Sequence, residues 1–262
     1  MSSLPELTEP QIRRYARHIV LAEIGGIGQA RLIAARVLVI GAGGLGAPLL
    51  QYLAAAGIGT LGVIDHDRVD LSNLQRQVIH RTADIGVSKV ESARQALGEI
   101  NPEVRVEPHG ERLTAANAER IIAGYDIVAD GSDNFATRYL LNDVCYRLKK
   151  PLVAAAILRF DGQISTYKAW QGDGHPCLRC IFPEAPSEDA VPSCAQAGVL
   201  GALAGTLGAM QATEVVKELL GIGQSLSGRL ILYDALAGSF DEVAIAKRAA
   251  CPTCGTRLGR AA

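Results

Sequence analysis

Apolar positions recur along this chain in two rhythms, and the switching between them lays out the elements. Arg36-Val-Leu-Val-Ile40 and Thr60-Leu-Gly-Val-Ile64 are short β-branched runs that stop at Gly41 and Asp65, and each reads as a strand. Residues 45–56 between them are helical in composition, so the first unit is strand, glycine loop, helix. Ser88 followed by Glu91 has the spacing of a capping box and predicts a helix to residue 100. Residues 104–106 and 126–130 are further strands, separated by a helical stretch at 114–123. Near the start, Thr8 and Gln11 form another capping box, opening a helix through about residue 20 with Ile12, Tyr15 and Ile19 on one face. Strands alternating with helices predict an α/β fold built on a mainly parallel sheet.

The rhythm changes beyond Asn134. A long helix to residue 150 is followed by strands at 151–156 and 162–168 with no helix-length spacer, and strands at 229–234 and 240–246 repeat that pattern. Such spacing predicts antiparallel strands added to the parallel sheet. No internal repeat and no long linker divides the chain, so a single domain over 1–262 is expected: a helical arm at 1–35, a core at 36–150 and a mixed part at 151–262.

Composition narrows the function classes. Of 262 residues 48% are hydrophobic, which suits a packed core, and 26 Lys and Arg against 27 Asp and Glu leave a net charge of −1. No bulk basic excess points to a nucleic acid. Residues 190–213 carry no charge, but their apolar part, 197–210, is short and rich in glycine, so a buried helix is expected there and no membrane span. The first ten residues lack a basic region followed by an apolar one, and a cytoplasmic protein is the expectation.

Gly41-Ala-Gly43-Gly44-Leu-Gly46 follows a strand and opens a helix, the context in which backbone N–H groups face a phosphate. Asp65 ends the next strand nineteen residues past Gly46, where a carboxylate can accept hydrogen bonds from ribose hydroxyls. Those two features alone favour a nicotinamide or flavin dinucleotide, and an NAD-dependent oxidoreductase, over ATP. The loop after Asp65 shifts the balance toward ATP. It carries Ser72, Asn73 and Arg76; with Lys89 and Asp133 it could neutralise phosphate oxygens and hold Mg²⁺, needs that hydride transfer does not have.

The cysteines add a separate line. Cys177-Leu-Arg-Cys180 and Cys251-Pro-Thr-Cys254 are two half-sites of a tetrahedral zinc centre, although 70 residues separate Cys180 from Cys251 and only the fold can join them. Redox dithiols are the alternative, and His175 is an alternative ligand. Cys145 sits among Leu141, Val144 and Leu148 as a buried inert thiol. Cys194 lies in a Pro-bearing loop before a helix, a position that can lower a thiol pKa.

Taken together, these motifs resemble the ThiF/MoeB/HesA family of ubiquitin-activating-enzyme-like adenylyltransferases. The resemblance spans nearly the whole chain: Arg14-Tyr-Ala-Arg17-His, the glycine loop, Ser72-Asn-Leu-Gln-Arg76-Gln, Lys89-Val-Glu-Ser-Ala, Ser132-Asp133-Asn134 and the two Cys pairs. It implies a Rossmann-like fold and ATP with Mg²⁺ held by Gly44, Asp65, Ser72, Asn73, Arg76, Lys89, Asp133 and Asn134. It also implies a Cys₄ zinc site, and a homodimer in which Arg17 reaches the opposite protomer's site. Cys194 matches the family's loop cysteine, a candidate for an adduct with the substrate. The implied reaction is adenylylation of a small ubiquitin-like sulfur carrier at its C-terminal Gly-Gly, with 151–262 binding the carrier and bearing the zinc. The molybdopterin-synthase small subunit is the favoured carrier, ahead of a thiamine-pathway or tRNA-thiolation carrier, and a separate persulfide donor is expected to supply sulfur.

Overall fold

β1 (Arg36–Ile40) is the axis of the structure because its side chains are buried on both faces. In the computed structural model, which describes residues 4–186 and 197–255, eight strands form one sheet. The others are β2 (Thr60–Ile64), β3 (Arg105–His109), β4 (Ile127–Asp130), β5 (Leu152–Leu158), β6 (Asp161–Tyr167), β7 (Arg229–Asp234) and β8 (Ser239–Ala244). Their order is β3-β2-β1-β4-β5-β6-β7-β8. β3 through β5 run parallel, and β6, β7 and β8 add antiparallel. This is the Rossmann-like sheet with an antiparallel extension that the change of rhythm predicts.

Among the described residues the α-helices are α1 (Glu9–Arg14), α2 (Ala16–Ile19), α3 (Gly25–Ala34), α4 (Gly46–Ala55), α5 (Lys89–Ile100), α6 (Ala118–Ala123), α7 (Phe135–Leu148), α8 (Leu178–Ile181) and α9 (Gly201–Leu220). Successive strand side chains point to opposite faces, so Val37 and Val39 join Leu49, Leu53, Leu97 and Leu207 on one side. Leu38 and Ile40 join Ile122, Leu141 and Cys145 on the other. Each fully buried Leu contributes about 2 kcal/mol. With both faces covered, β1 and β2 read as continuous apolar runs and not as alternating ones.

α9 lies against α4 and the polar loop, and its glycines explain how closely. A Cβ at Gly208 would lie 2.5 Å from the Leu45 carbonyl oxygen, and one at Gly201 would lie 2.3 Å from that of Gln75, whereas Gly205 has nothing within 4 Å. Gly201 and Gly208 therefore mark the close approach, while Gly205 does not. Among the described residues no helix is long and apolar enough to cross a membrane.

Two local expectations need correction. The Thr8–Gln11 capping box forms, but the helix it opens breaks at Tyr15 into α1 and α2. Tyr15 is buried against Gly57 and its hydroxyl accepts from Asn101 Nδ2 at 2.8 Å, and that anchoring takes precedence over helical continuity. α5 does begin after Ser88, yet the Ser88 side chain makes no capping bond. The Asp67 carbonyl accepts the Lys89 N–H at 3.0 Å instead.

Candidate active site

The chain leaves β1 toward β2 and β3 on one side, and later returns to place β4 on the other. A crevice therefore opens at the C-terminal ends of β1 and β4, the switch point where open α/β sheets bind ligands. The glycine loop lies there. Gly41 has φ +90°, and its N–H donates to the Ile64 carbonyl at 2.8 Å. A Cβ at Gly46 would fall 1.8 Å from the Gly41 oxygen, so only glycine fits. At Gly43 and Gly44 the nearest atoms would be 3.7 and 3.4 Å away. The loop is thus pinned at Gly41 and Gly46, with room between them at Gly43 and Gly44.

Asp65 ties that loop to β2. Its Oδ2 accepts the Ala42 N–H and its Oδ1 the Asp67 N–H, both at 2.9 Å, so the carboxylate expected at a ribose also holds backbone. Beyond it, Asp70 caps the 3-10 turn Leu71–Asn73 by accepting the Ser72 N–H at 2.9 Å. Asn73 Nδ2 donates to Ser72 Oγ at 3.3 Å. The Arg76 guanidinium donates to the Ser72 carbonyl at 3.1 Å, and its aliphatic stem lies beside Gly44. Ser72, Asn73 and Arg76 therefore stand together, with Arg76 at the loop's open part.

Lys89 is buried in the first turn of α5, a poor place for a cation because it meets the positive end of the helix dipole. Asp67 offsets that cost, with its Oδ2 2.9 Å from Lys89 Nζ. Partial desolvation opposes ionisation of Asp67, but the Lys89 ammonium outweighs it and holds the carboxyl below its ordinary range.

At the other lip of the crevice, Asp130 ends β4 almost fully buried. Its Oδ1 accepts the Ser132 N–H at 2.9 Å, and Arg138 donates to the Ser132 carbonyl at 2.8 Å. Burial pushes the Asp130 carboxyl up, against the pull of Arg138. Asp133 is exposed on the following loop. Asn134, expected at the nucleotide, caps α7 by accepting the Thr137 N–H at 2.9 Å. Among the described residues, four buried side-chain atoms have no hydrogen-bond partner: Gln77 Oε1, Asp130 Oδ2, Ser132 Oγ and Gln211 Oε1. Asp130 and Ser132 stand at the β4 end, Gln77 beside Gly43, and Gln211 donates to the Asp130 carbonyl at 2.8 Å. Orphaned polar atoms gathered at one crevice suit a polar ligand such as ATP.

Arg17 is exposed on α2 and is not brought to this crevice. Its neighbours show where it stands: Arg14 donates to the Ile100 carbonyl at 3.2 Å and Tyr15 packs on Gly57. Those contacts lie at the C-terminal ends of α5 and α4, whereas Lys89 and the glycine loop lie at their N-terminal ends.

The four expected zinc cysteines do converge. Cys177 and Cys251 have their sulfurs 3.5 Å apart, Cys180 and Cys254 3.4 Å, and all four fall within 4.8 Å of one another. A disulfide would need about 2.05 Å. Four thiolates around one zinc at about 2.3 Å stand about 3.8 Å apart, so the set fits that metal. The hydrogen bond with Cys254 and then burial push the Cys177 thiol up. α7 anchors the knot: Asn142 Oδ1 accepts the Leu178 N–H at 2.9 Å, and Asp143 binds Arg179 at 2.9 Å and the Thr253 hydroxyl at 2.6 Å. His175 is not part of it, since its Nδ1 meets Ser227 Oγ at 2.9 Å. Cys145 is buried, and burial pushes its thiol up, as an inert core cysteine requires. Cys194 lies outside the described residues.

Sequence reasoning missed Asp130, Arg138, Gln77 and Gln211. Asp130 carried a readable signal, an acid at the C-terminal end of a buried strand in a parallel sheet. The other three are single polar residues whose roles arise only from packing.

Known proteins supply the remaining comparison. The chain is 52% identical over 249 residues to the SAMP-activating enzyme E1 of Haloferax volcanii, covering 95% of this chain and 91% of that protein. It is 50% identical over 250 residues to the sulfur carrier protein adenylyltransferase of Thermus thermophilus, covering 95% and 92%. Against the adenylyltransferase and sulfurtransferase MOCS3 of Bos taurus the identity is 51%, over 96% of this chain and 55% of that protein. In fold it resembles E. coli MccB solved with ATP, at a TM-score of 0.80 and 22% identity, covering 92% of this chain and 73% of that one. Residues 15–253 match the sequence model of the ThiF family, and the chain belongs to that family.

Proposed function

We propose that this protein is a nucleotidyltransferase that adenylylates the C-terminal glycine of a small ubiquitin-like sulfur-carrier protein. The observation that carries the reading is the crevice itself, where a glycine loop with room at Gly43 and Gly44 stands beside Arg76 and Lys89. The half-identity to the Thermus thermophilus sulfur carrier protein adenylyltransferase, over nearly all of both chains, supports the same substrate class.

A carboxylate is a poor acyl donor until one of its oxygens belongs to a good leaving group. In the reaction a carboxylate oxygen of the carrier's terminal glycine attacks the α-phosphorus of ATP; the new O–P bond forms as the bond to pyrophosphate breaks. The nucleophile is ionised near neutral pH, so no general base is needed. The work left to the protein is positioning and neutralising charge. Backbone N–H groups of the glycine loop cradle phosphate oxygens, and Arg76 and Lys89 meet the charge that develops. To reach them, Lys89 exchanges its bond to Asp67 for one to phosphate. Asp65, Ser72 and Asn73 line the ribose side, and Asp133, with Asn134 beside it, offers a carboxylate to Mg²⁺. That metal, when bound, screens the phosphates. Arg17 cannot serve its own crevice from the far end of α4 and α5, which suits a homodimer in which each protomer lends Arg17 to the other.

The walls for an extended carrier tail are β5 and β6. The four cysteines hold zinc as a structural tie, and a persulfide donor supplies the sulfur that later replaces AMP. Cys194 is the candidate for an adduct in that later step, so Cys194→Ser is expected to spare adenylylation and to lower sulfur transfer. Among carriers, the molybdopterin-synthase small subunit is favoured, with thiamine-pathway and tRNA-thiolation carriers next. ATP–pyrophosphate exchange with Mg²⁺ and a panel of Gly-Gly carriers tests the adenylylation and the choice of carrier. Exchange with an intact carrier, absent when its last glycine is removed, is the expected result; silence across the panel from zinc-loaded protein would overturn it.

A further inference from the structure

His80 plays no part in the chemistry above, yet it is almost fully buried directly beneath the glycine loop. Its Nε2 stands 2.9 Å from the Ala42 carbonyl oxygen. Its Nδ1 stands 2.8 Å from Ser92 Oγ on α5. That hydroxyl is in turn 2.8 Å from Asp84 Oδ2, which also accepts the Arg81 N–H at 2.9 Å. A line of contacts therefore runs from the turn Thr82–Asp84, through α5 and the imidazole, to the second residue of the glycine loop.

Hydrogen accounting fixes the imidazole. A carbonyl oxygen only accepts, so the nitrogen facing Ala42 must carry a hydrogen, and the neutral ring is the Nε2–H tautomer. Nδ1 faces Ser92 Oγ, whose single hydrogen serves either Nδ1 or Asp84 Oδ2 at any one time. Burial pushes the ring below its ordinary pKa, with the Ala42 carbonyl opposing and Lys89 on α5 assisting; Asp65 and Asp84 oppose. The ring is thus neutral near pH 7.

Ala42 is held from two directions. Asp65 Oδ2 accepts its N–H at 2.9 Å, and His80 takes its carbonyl. In a trans peptide the C=O and the next N–H point in opposite directions. Turning the Ala42 carbonyl down onto His80 therefore turns the Gly43 N–H away from the buried side, toward the part of the loop with room for a ligand. Without that partner nothing else among the described contacts sets this peptide plane.

We propose that His80 is a positioning residue of the nucleotide site: as an Nε2–H donor to the Ala42 carbonyl it sets the peptide that presents the Gly43 N–H to a phosphate of ATP. This role rests on the reading of the crevice as an ATP site. It does not touch substrate, and Ser92 with Asp84 serves only to hold the ring.

Two substitutions separate the donor from mere packing. His80→Gln places an amide N–H near the position of Nε2, while His80→Asn places one near that of Nδ1, and both keep a polar side chain in the same space. ATP·Mg²⁺ affinity is measured by calorimetry on the full-length zinc-loaded protein, with thermal melting in parallel. H80Q is expected to bind ATP within about threefold of wild type and H80N about tenfold more weakly, the loss of one buried hydrogen bond. Nitrogen NMR of the wild-type imidazoles is expected to show one neutral ring with a slowly exchanging Nε2–H, missing from H80Q. Equal affinities in the two variants, or a His80 ring protonated at Nδ1 alone, would overturn the proposal. Failure of the wild-type protein to bind ATP would instead sink the adenylation reading, so the two failures are distinct.

Discussion

The crevice and the cysteine knot meet opposite electrostatic demands. At the crevice, charged side chains of both signs stand together and several are held by backbone: Asp65 grips two N–H groups, Asp70 caps a turn, and Arg76 returns to the Ser72 carbonyl. At the knot, four buried sulfurs stand together, and the neighbouring charges Asp143 and Arg179 are paired with each other. The crevice is therefore built to receive charge, while the knot has the donor set and spacing that suit one shared metal ion. A structural metal at the knot would make its loss more damaging to the fold than loss of the polar side chains at the crevice.

Metal loss is the hardest test of that contrast. Structural zinc in small peptides is worth roughly 10 kcal/mol of folding free energy, and here the site joins residues 177–180 to 251–254 on α7. Cys251→Ala is expected to abolish zinc content, to lower Tm more than any other substitution considered below, and to expose the C-terminal segment to protease. A zinc-free variant melting with wild type would break the comparison.

Within the crevice the glycines divide in the same way. Gly46→Ala drives a methyl into the Gly41 carbonyl at 1.8 Å and is expected to cost about 3 kcal/mol as overpacking, measured by urea unfolding. Gly44→Ala meets only ordinary contacts, the nearest at 3.4 Å, and is expected to cost under about 1 kcal/mol while weakening ATP binding. Equal loss of stability in the two variants would show that the whole loop, and not its ends, is structural.

A pH experiment sharpens the link between the knot and α7. Desolvation opposes ionisation of Asp143, but its bonds from Arg179, Thr253 and Asn142 prevail and hold its pKa below the ordinary carboxylate value. The folded pKa is depressed, so the stabilisation is present above the unfolded value near 4 and disappears as pH falls through the folded one. Asp143→Asn is therefore expected to cost about 2 kcal/mol at pH 7, and the difference from wild type is expected to shrink below about pH 4. A difference constant down to pH 3 would remove the carboxylate's role.

The sequence shows these regions unequally. The strands from 36 to 64 and the antiparallel turn after residue 150 are legible because periodicity is a local property, and the glycine loop is legible because steric necessity leaves only glycine at 46. The Cys pairs announce their chemistry, yet their meeting across 70 residues depends on where β6, β7 and α7 go. Asp65, Lys89 and Asn134 read from sequence as candidate site residues, but the sequence does not show the contacts each makes: Asp65 on Ala42, Lys89 on Asp67, Asn134 on α7. His80 and Gln211 leave no trace in the pattern because each reaches a backbone carbonyl near the crevice, and every residue has one.

Ser88 tests the limits of such reading on the smallest scale. It has the residue type and spacing of an N-cap, as Thr8 does, so sequence treats the two alike. Structure does not: Gln11 N–H donates to Thr8 Oγ1 and the Gln11 side chain accepts the Thr8 N–H, while the first N–H of α5 goes to the Asp67 carbonyl and Ser88 caps nothing. The strand-like bridge between Arg68 and Ser88 sets that backbone, so tertiary contact has replaced the cap. Ser88→Ala is expected to cost no more than about 0.3 kcal/mol, and Thr8→Ala about 1 kcal/mol, by urea unfolding of the two variants side by side. The second figure applies only if α1 unfolds with the rest, and hydrogen exchange at Gln11 and Ile12 reports that directly. A larger cost at Ser88 than at Thr8 would mean that the helix leading Lys89 into the crevice depends on a bond that the structure does not contain.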